Sequence, residues 1–152
     1  MLAENRSTPR SDEELQKLTV GELKPHNAPI TIVEYDPSWP DLFEREANRI
    51  RSVLGTKALQ IEHVGSTSVP GLCAKPIIDM LLVVTNSADE PSYVPVLESS
   101  GYTLRIREPE WFEHRLFKGK KLRMDDSAGQ EYYERRNLYR SYHPLPGNKH
   151  FL

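Results

Sequence analysis

Apolar positions along the chain fall into periodic runs that predict alternating helices and strands. Trp39, Phe43, Ala47, Ile50 and Leu54 recur at helical spacing, while Glu44, Arg45, Asn48 and Arg51 occupy the opposite face. Asp36-Pro37 should end whatever precedes this helix, Ser38 should cap it together with Asp41, and Gly55 stands where a C-terminal glycine belongs. Trp39 in such a stripe reads as a core anchor rather than a base-stacking residue. Residues 59–64 and 77–84 read as strands, the second almost wholly apolar. Residues 102–107 alternate as a strand with one wet face, and 111–118 should be its hairpin partner. Ahead of this hairpin, 87–100 holds helical apolar positions at Tyr93, Val94 and Leu97, made irregular by Pro95 and stopped by Gly101. Upstream, Ser11-Asp12-Glu13-Glu14 has the form of a capping box for a short helix through Leu18, and 30–35 is a β-rich run expected at a sheet edge. These elements predict an α/β (α+β) fold, a mixed β-sheet flanked by helices.

Composition narrows the picture. The chain has 152 residues, 38% of them apolar, which suits one domain with a modest core. A net charge of −2 gives no global basic field, so nucleic acid is not the expected partner. Cys73 is the only cysteine, which excludes an internal disulfide and fits a reducing compartment. The first residues are polar with no apolar signal-peptide core, and the longest apolar run is far short of the roughly 20 residues of a membrane span. A cytoplasmic protein with no membrane partner is therefore expected. The reading divides the chain into a polar N-terminal arm (1–29), a domain (30–121) and a basic, aromatic tail (122–152). Lys118, Lys120, Lys121, Arg123, Arg135, Arg136 and Arg140 alternate there with Tyr132, Tyr133, Tyr139 and Tyr142. Such a segment suits single-stranded nucleic acid, but few aliphatic positions favour a poorly ordered tail with at most one helix, over 130–142.

The candidate chemistry lies between the strands at 59–64 and 77–84. Glu62-His63-Val64-Gly65-Ser66-Thr67-Ser68 ends a short apolar strand at a loop of small hydroxyl residues, whose backbone N–H groups suit phosphate. Asp79 then stands inside an apolar run, where a carboxylate is costly unless paired, hydrogen-bonded or bound to metal. A phosphate cradle followed by a metal-holding acid is the layout of a nucleotidyl-transfer site. Lys75, between loop and acid, suits phosphate or plain solvent exposure. His63 suits a ligand or proton shuttle near neutral pH, or a hydrogen-bonded structural residue.

His-Val-Gly-Ser-Thr-Ser-Val-Pro-Gly-Leu followed by Ala-Lys-Pro-Ile-Ile-Asp (63–72 and 74–79) resembles the signature of the GrpB-like proteins, a branch of the nucleotidyltransferase superfamily with the fold of DNA polymerase beta. The likeness is strongest over 62–84 and extends more weakly over 30–121. It implies a nucleotidyltransferase-like fold and transfer of a nucleotidyl group from a nucleoside triphosphate to an unknown small-molecule or protein acceptor. Asp79 would hold magnesium and act with His63 in catalysis; Gly65, Ser66, Thr67, Ser68, Lys75 and Arg115 would bind phosphate. A non-catalytic domain for a nucleotide or phosphorylated metabolite, coenzyme A-related included, is the alternative. Relatives in the wider superfamily carry a second acid on the Asp79 strand, but positions 77 and 81 are Ile and Leu here. One Asp with a bound triphosphate suffices for one ion; more acids would have to come from Glu62 or Glu113. The 111–117 segment resembles the strand that lies across the cleft from the acid, which gives Arg115 either a phosphate or an ion pair with Glu108, Glu110 or Glu113. Beyond Lys121 the resemblance fades, and the C-terminus is expected to be divergent or truncated.

Overall fold

A computed structural model describes residues 9–23, 29, 31–123 and 132–141; over 120–123 and 132–141 it defines backbone and strand register. Among the described residues, three α-helices, α1 (Asp12–Leu18), α2 (Trp39–Leu54) and α3 (Val94–Ser99), accompany five strands: β1 (Gln60–Val64), β2 (Ile77–Val84), β3 (Tyr102–Glu108), β4 (His114–Arg123) and β5 (Tyr132–Ser141). The strands form one mixed sheet in the order β1-β2-β5-β4-β3. All neighbours are antiparallel except β2 and β5, which run parallel. The fold is α+β, as the sequence predicts.

The α2 stripe is buried throughout: Trp39, Phe43, Ala47, Ile50 and Leu54 lie against alternate β2 residues Ile78, Met80, Leu82 and Val84 in one core cluster. Tyr93, Leu97, Tyr102, Leu104 and Phe117 extend that cluster under α3 and β3. Gly55 ends α2 at φ +57°, its N–H donating to the Arg51 carbonyl. The Ser38 cap does not form. Instead Asp36 Oδ1 accepts the Ser38 N–H at 2.8 Å, and the Asp36 carbonyl accepts from Trp39. The aspartate turn satisfies the chain entry before a Ser38 side-chain bond is needed.

Three further expectations change. Residues 31–35 form no strand; Val33 makes a single two-way bridge with Ala74 in the loop between β1 and β2. The capping box of α1 forms as expected, but the rest of the arm, expected as a linker, lies along the outer edge of β3. There the Val20 N–H donates to the Arg105 carbonyl and Thr19 bridges Ile106. The tail, expected to hold at most a helix, contributes β5 to the middle of the sheet. Tyrosines suit a strand, and β5 satisfies two edges that β2 and β4 would otherwise leave open. The rest of the 122–152 segment lies outside the described residues, apart from the end of β4.

One polar contact ties α2 to the far side of the core. Glu46, buried on the helix, accepts the Tyr102 hydroxyl and a 2.6 Å bond from Arg49, which also reaches the Ser100 carbonyl at 2.7 Å. Removing the guanidinium beside a buried carboxylate is strongly destabilising. Arg49 keeps 39% of its side chain in water, so Arg49→Ala should cost about 2–3 kcal/mol in urea unfolding, below the full buried-pair figure. Glu44→Ala, on the exposed face of the same helix, should stay within roughly 0.5 kcal/mol.

Candidate functional site

The site loop leaves β1 at Val64, whose partner across the sheet is Asp79. Gly65 follows with φ +76° and ψ −170°, a conformation essentially confined to glycine. A Cβ at this position would fall 2.6 Å from Asp79 Oδ2. Glycine here therefore does two things: it makes the turn and it leaves room for the half-buried Asp79 carboxylate.

Ser66–Ser68 is a 3-10 turn. Its first N–H groups have no partner within the turn, as at any helical start. Ser68 folds back to donate to the Gly65 carbonyl at 2.6 Å. Ser66 is exposed, and so is Lys75 on the returning segment.

Thr67 turns the other way. It is 1% exposed, donates to the Ile77 carbonyl at 2.8 Å, and lies 3.0 Å from His63 Nε2. With the hydroxyl proton given to Ile77, the oxygen accepts from His63, which places the imidazole proton on Nε2. His63 also stacks on Phe43 of α2, ring centroids 5.0 Å apart. Burial lowers its pKa and favours the neutral ring.

Register separates the residues that sequence groups together. His63 pairs with Met80, which is fully buried against the helices, whereas Asp79 pairs with Val64 on the opposite face. Cross-strand partners share a face and neighbours along a strand do not. The two catalytic candidates therefore lie on opposite sides of the sheet. Arg115 is also away from Asp79. It is two residues from buried Phe117 and thus on the helix-covered face, where it bonds Glu90 at 2.6 Å, the His114 carbonyl at 3.1 Å and Glu113 at 3.1 Å. Arg107 adds two 2.6 Å bonds to Glu90, and these guanidinium bonds hold the Glu90 carboxyl below its usual range. The ion-pair alternative for Arg115 is realised through Glu113, with Glu90 as a partner that 25 positions of sequence separation conceal.

The structure thus brings together Gly65, Ser66, Ser68 and Asp79, with Thr67 as the inward pin, and it does not bring His63 or Arg115 to them. Of the two reserve acids, Glu62 is exposed opposite Leu81 on the Asp79 face, and Glu113 is committed to Arg115. Among the described residues no group of three or more His, Cys, Asp or Glu gathers to hold a metal ion, and no helix is long and apolar enough to cross a membrane. Two residues missed as site candidates share a row with Asp79: Arg136 of β5 pairs with it, and Lys118 of β4 pairs with Arg136. Only the strand order reveals that row.

The GrpB protein family model matches residues 29–139. A UPF0157 protein of Halalkalibacterium halodurans is 80% identical over 115 residues, covering 76% of this chain and 59% of that protein. The crystal structure of the conserved protein GrpB from Enterococcus faecalis superposes with a TM-score of 0.53 at 30% identity, covering 70% of this chain and 59% of that one. A dephospho-CoA kinase of Mycolicibacterium paratuberculosis is 38% identical over 78 residues, which are 49% of this chain and 19% of that protein. The chain thus spans at most about three fifths of the length of these relatives.

Two outcomes follow from the loop. Gly65→Ala should lose roughly 1–3 kcal/mol from its backbone alone and more from the collision with Asp79. In an Asp79→Ala background the excess should vanish, and equal losses in both backgrounds would show that the carboxylate is not the obstacle. For His63, the unfolded ring protonates near pH 6.5 before the folded one does. Its contribution is complete above about pH 7 and is lost as pH falls through the unfolded value. The stability advantage of the wild type over His63→Gln in urea should therefore shrink from pH 7.5 to pH 5, whereas a constant difference would contradict a buried neutral ring.

Proposed function

The chain belongs to the GrpB family, and we propose that the Gly65–Ser68 loop and Asp79 form a nucleoside triphosphate site of the nucleotidyltransferase type, serving transfer of a nucleotidyl group to a small-molecule or protein acceptor. The observation that carries this reading is the contact geometry of Gly65 and Asp79. A glycine-only turn holds a loop of exposed serine and backbone donors directly against a carboxylate lodged in an apolar strand. Such a loop selects phosphate oxygens, and a carboxylate beside them is what a magnesium ion bridging protein and phosphate requires.

The donor set fits magnesium in a restricted way. Asp79 supplies one carboxylate, and the remaining ligands would be phosphate oxygens and water, the usual balance for this ion. When bound, the ion would neutralise phosphate charge. The chain's own part is to position: Gly65 and Ser68 fix the loop, Ser66 and Lys75 face the phosphates, and Asp79 anchors the metal end. His63 supports the site from behind through Thr67, so no proton transfer is assigned to it.

A second reading, binding without transfer, is favoured by two observations. Asp79 is the only acid on its strand, and part of the chain resembles a segment of a dephospho-CoA kinase, which allows a coenzyme A-related phosphometabolite as ligand.

Asp79→Asn tests both. Asn keeps the shape and a hydrogen-bonding group, so the melting temperature should move by only a few degrees. Calorimetric titration with magnesium and a non-hydrolysable ATP analogue should lose its signal. A sharp drop in melting temperature with unchanged affinity would make Asp79 a structural acid. Incorporation of labelled nucleotide into an acceptor would then separate transfer from binding.

A further inference from the structure

The chain leaves the Gly65–Ser68 loop through a closed apolar turn. Val69, Pro70, Gly71 and Leu72 make a β-turn in which the Leu72 N–H donates to the Val69 carbonyl at 3.2 Å and Gly71 takes φ +79°. Proline in the second position and a positive-φ glycine in the third is the form of a type II turn. Such a turn sets its first and fourth Cα atoms within about 7 Å of each other, so Val69 and Leu72 stand side by side. They are 48% and 44% exposed. From this placement we propose that Val69 and Leu72 form the nucleobase platform of the site, packing against the base of a nucleoside triphosphate whose phosphates lie on Gly65–Ser68. The inference rests on the triphosphate reading above and specifies where the uncharged end of the ligand lies.

A single half-exposed aliphatic residue needs no explanation. Here two are paired by the backbone, and that backbone is fixed on both sides. Ahead of the turn, the Val69 N–H donates to the Ser66 carbonyl at 3.3 Å, and Thr67 is pinned to the Ile77 carbonyl. Behind it, Ala74 and Val33 exchange two bonds of 2.9 Å. The turn is therefore ordered before a ligand arrives, which lowers the entropy cost of binding. The space beside it is open: among the described residues, no atom lies within 4 Å of where a Cβ on Gly71 would stand.

The order of the loop sets the order of the ligand. Gly65 lies against the Asp79 carboxylate, Ser66 to Ser68 follow, and Val69 comes three residues after Ser66, no more than about 10 Å along the chain. A nucleoside triphosphate is polarised in the same sense, with charge at one end and a flat, uncharged ring at the other. Phosphates gain nothing from aliphatic side chains. A base does gain, through the apolar area that the contact removes from water. Neither Val69 nor Leu72 has a hydrogen-bonding side chain, so the platform receives the face of a ring without reading its edge.

The test titrates the full chain, in the presence of magnesium, with a non-hydrolysable ATP analogue and with sodium tripolyphosphate in a calorimeter. Val69→Ser combined with Leu72→Ser should weaken the ATP analogue about tenfold or more, the scale of removing several methyl and methylene groups from a contact. Tripolyphosphate should stay within twofold, and Leu72→Met should bind both probes within a few-fold of wild type. Both positions are exposed, so melting temperatures should move by only a few degrees. If the double variant does not fold, each single serine variant carries the test with a loss of roughly threefold. Unchanged affinity for the ATP analogue, or equal losses for both probes, overturns the platform while leaving the triphosphate reading in place. A wild type that binds neither probe overturns both.

Discussion

The alternation of β2 is the constraint on which the rest of the structure depends. Ile78, Met80, Leu82 and Val84 must all enter the core beneath α2, and a strand can bury every second residue only by turning the intervening ones to the opposite face. That requirement sends Asp79 away from the helices. Through the antiparallel pairing with β1 it also sends Val64 with Asp79, and His63 with Met80. The functional face and the supporting face of the site are thus separated by packing, before any chemistry is considered.

The loop between these strands is held from the supporting side. His63, Thr67 and the Ile77 carbonyl make a short chain of hydrogen bonds from β1 through the loop to β2, and Phe43 stacks on the imidazole. A buried polar chain with its members bonded fixes one geometry, which leaves Ser66 and Ser68 as the loop's outer residues. Gly65 completes the arrangement by keeping the Asp79 carboxylate within contact of the turn. Positioning residues behind and polar residues in front are the arrangement that the proposed phosphate site would use.

Much of this was legible in the residues alone. The α2 stripe, the capping box at Ser11 and the two site strands follow from local periodicity, and the family resemblance joins the Gly65–Ser68 loop to Asp79 in one site. What was not legible depends on non-local pairing. β5 is rich in tyrosine and arginine and poor in aliphatics, so nothing in its own composition marks it as the middle strand; its partners, β2 and β4, supply the reason. A bulge at Asn137 shows only in the pairing, where both ladders of β5 pass from Arg136 to Leu138. Arg115 reads as a phosphate contact or a local ion pair, and Glu90 joins it only from the segment before α3. Thr67 was grouped with its serine neighbours because composition cannot tell which hydroxyl of a 3-10 turn points inward.

Backbone amide shifts would test the two-faced site most directly. On adding magnesium and a non-hydrolysable ATP analogue, the largest changes should fall on Gly65, Ser66, Thr67, Ser68 and Asp79, while Glu90, Arg107 and Arg115 stay put. Changes centred on Glu90, Arg107 and Arg115, with the Gly65–Ser68 amides silent, would place the ligand on the helix-covered face and contradict the account.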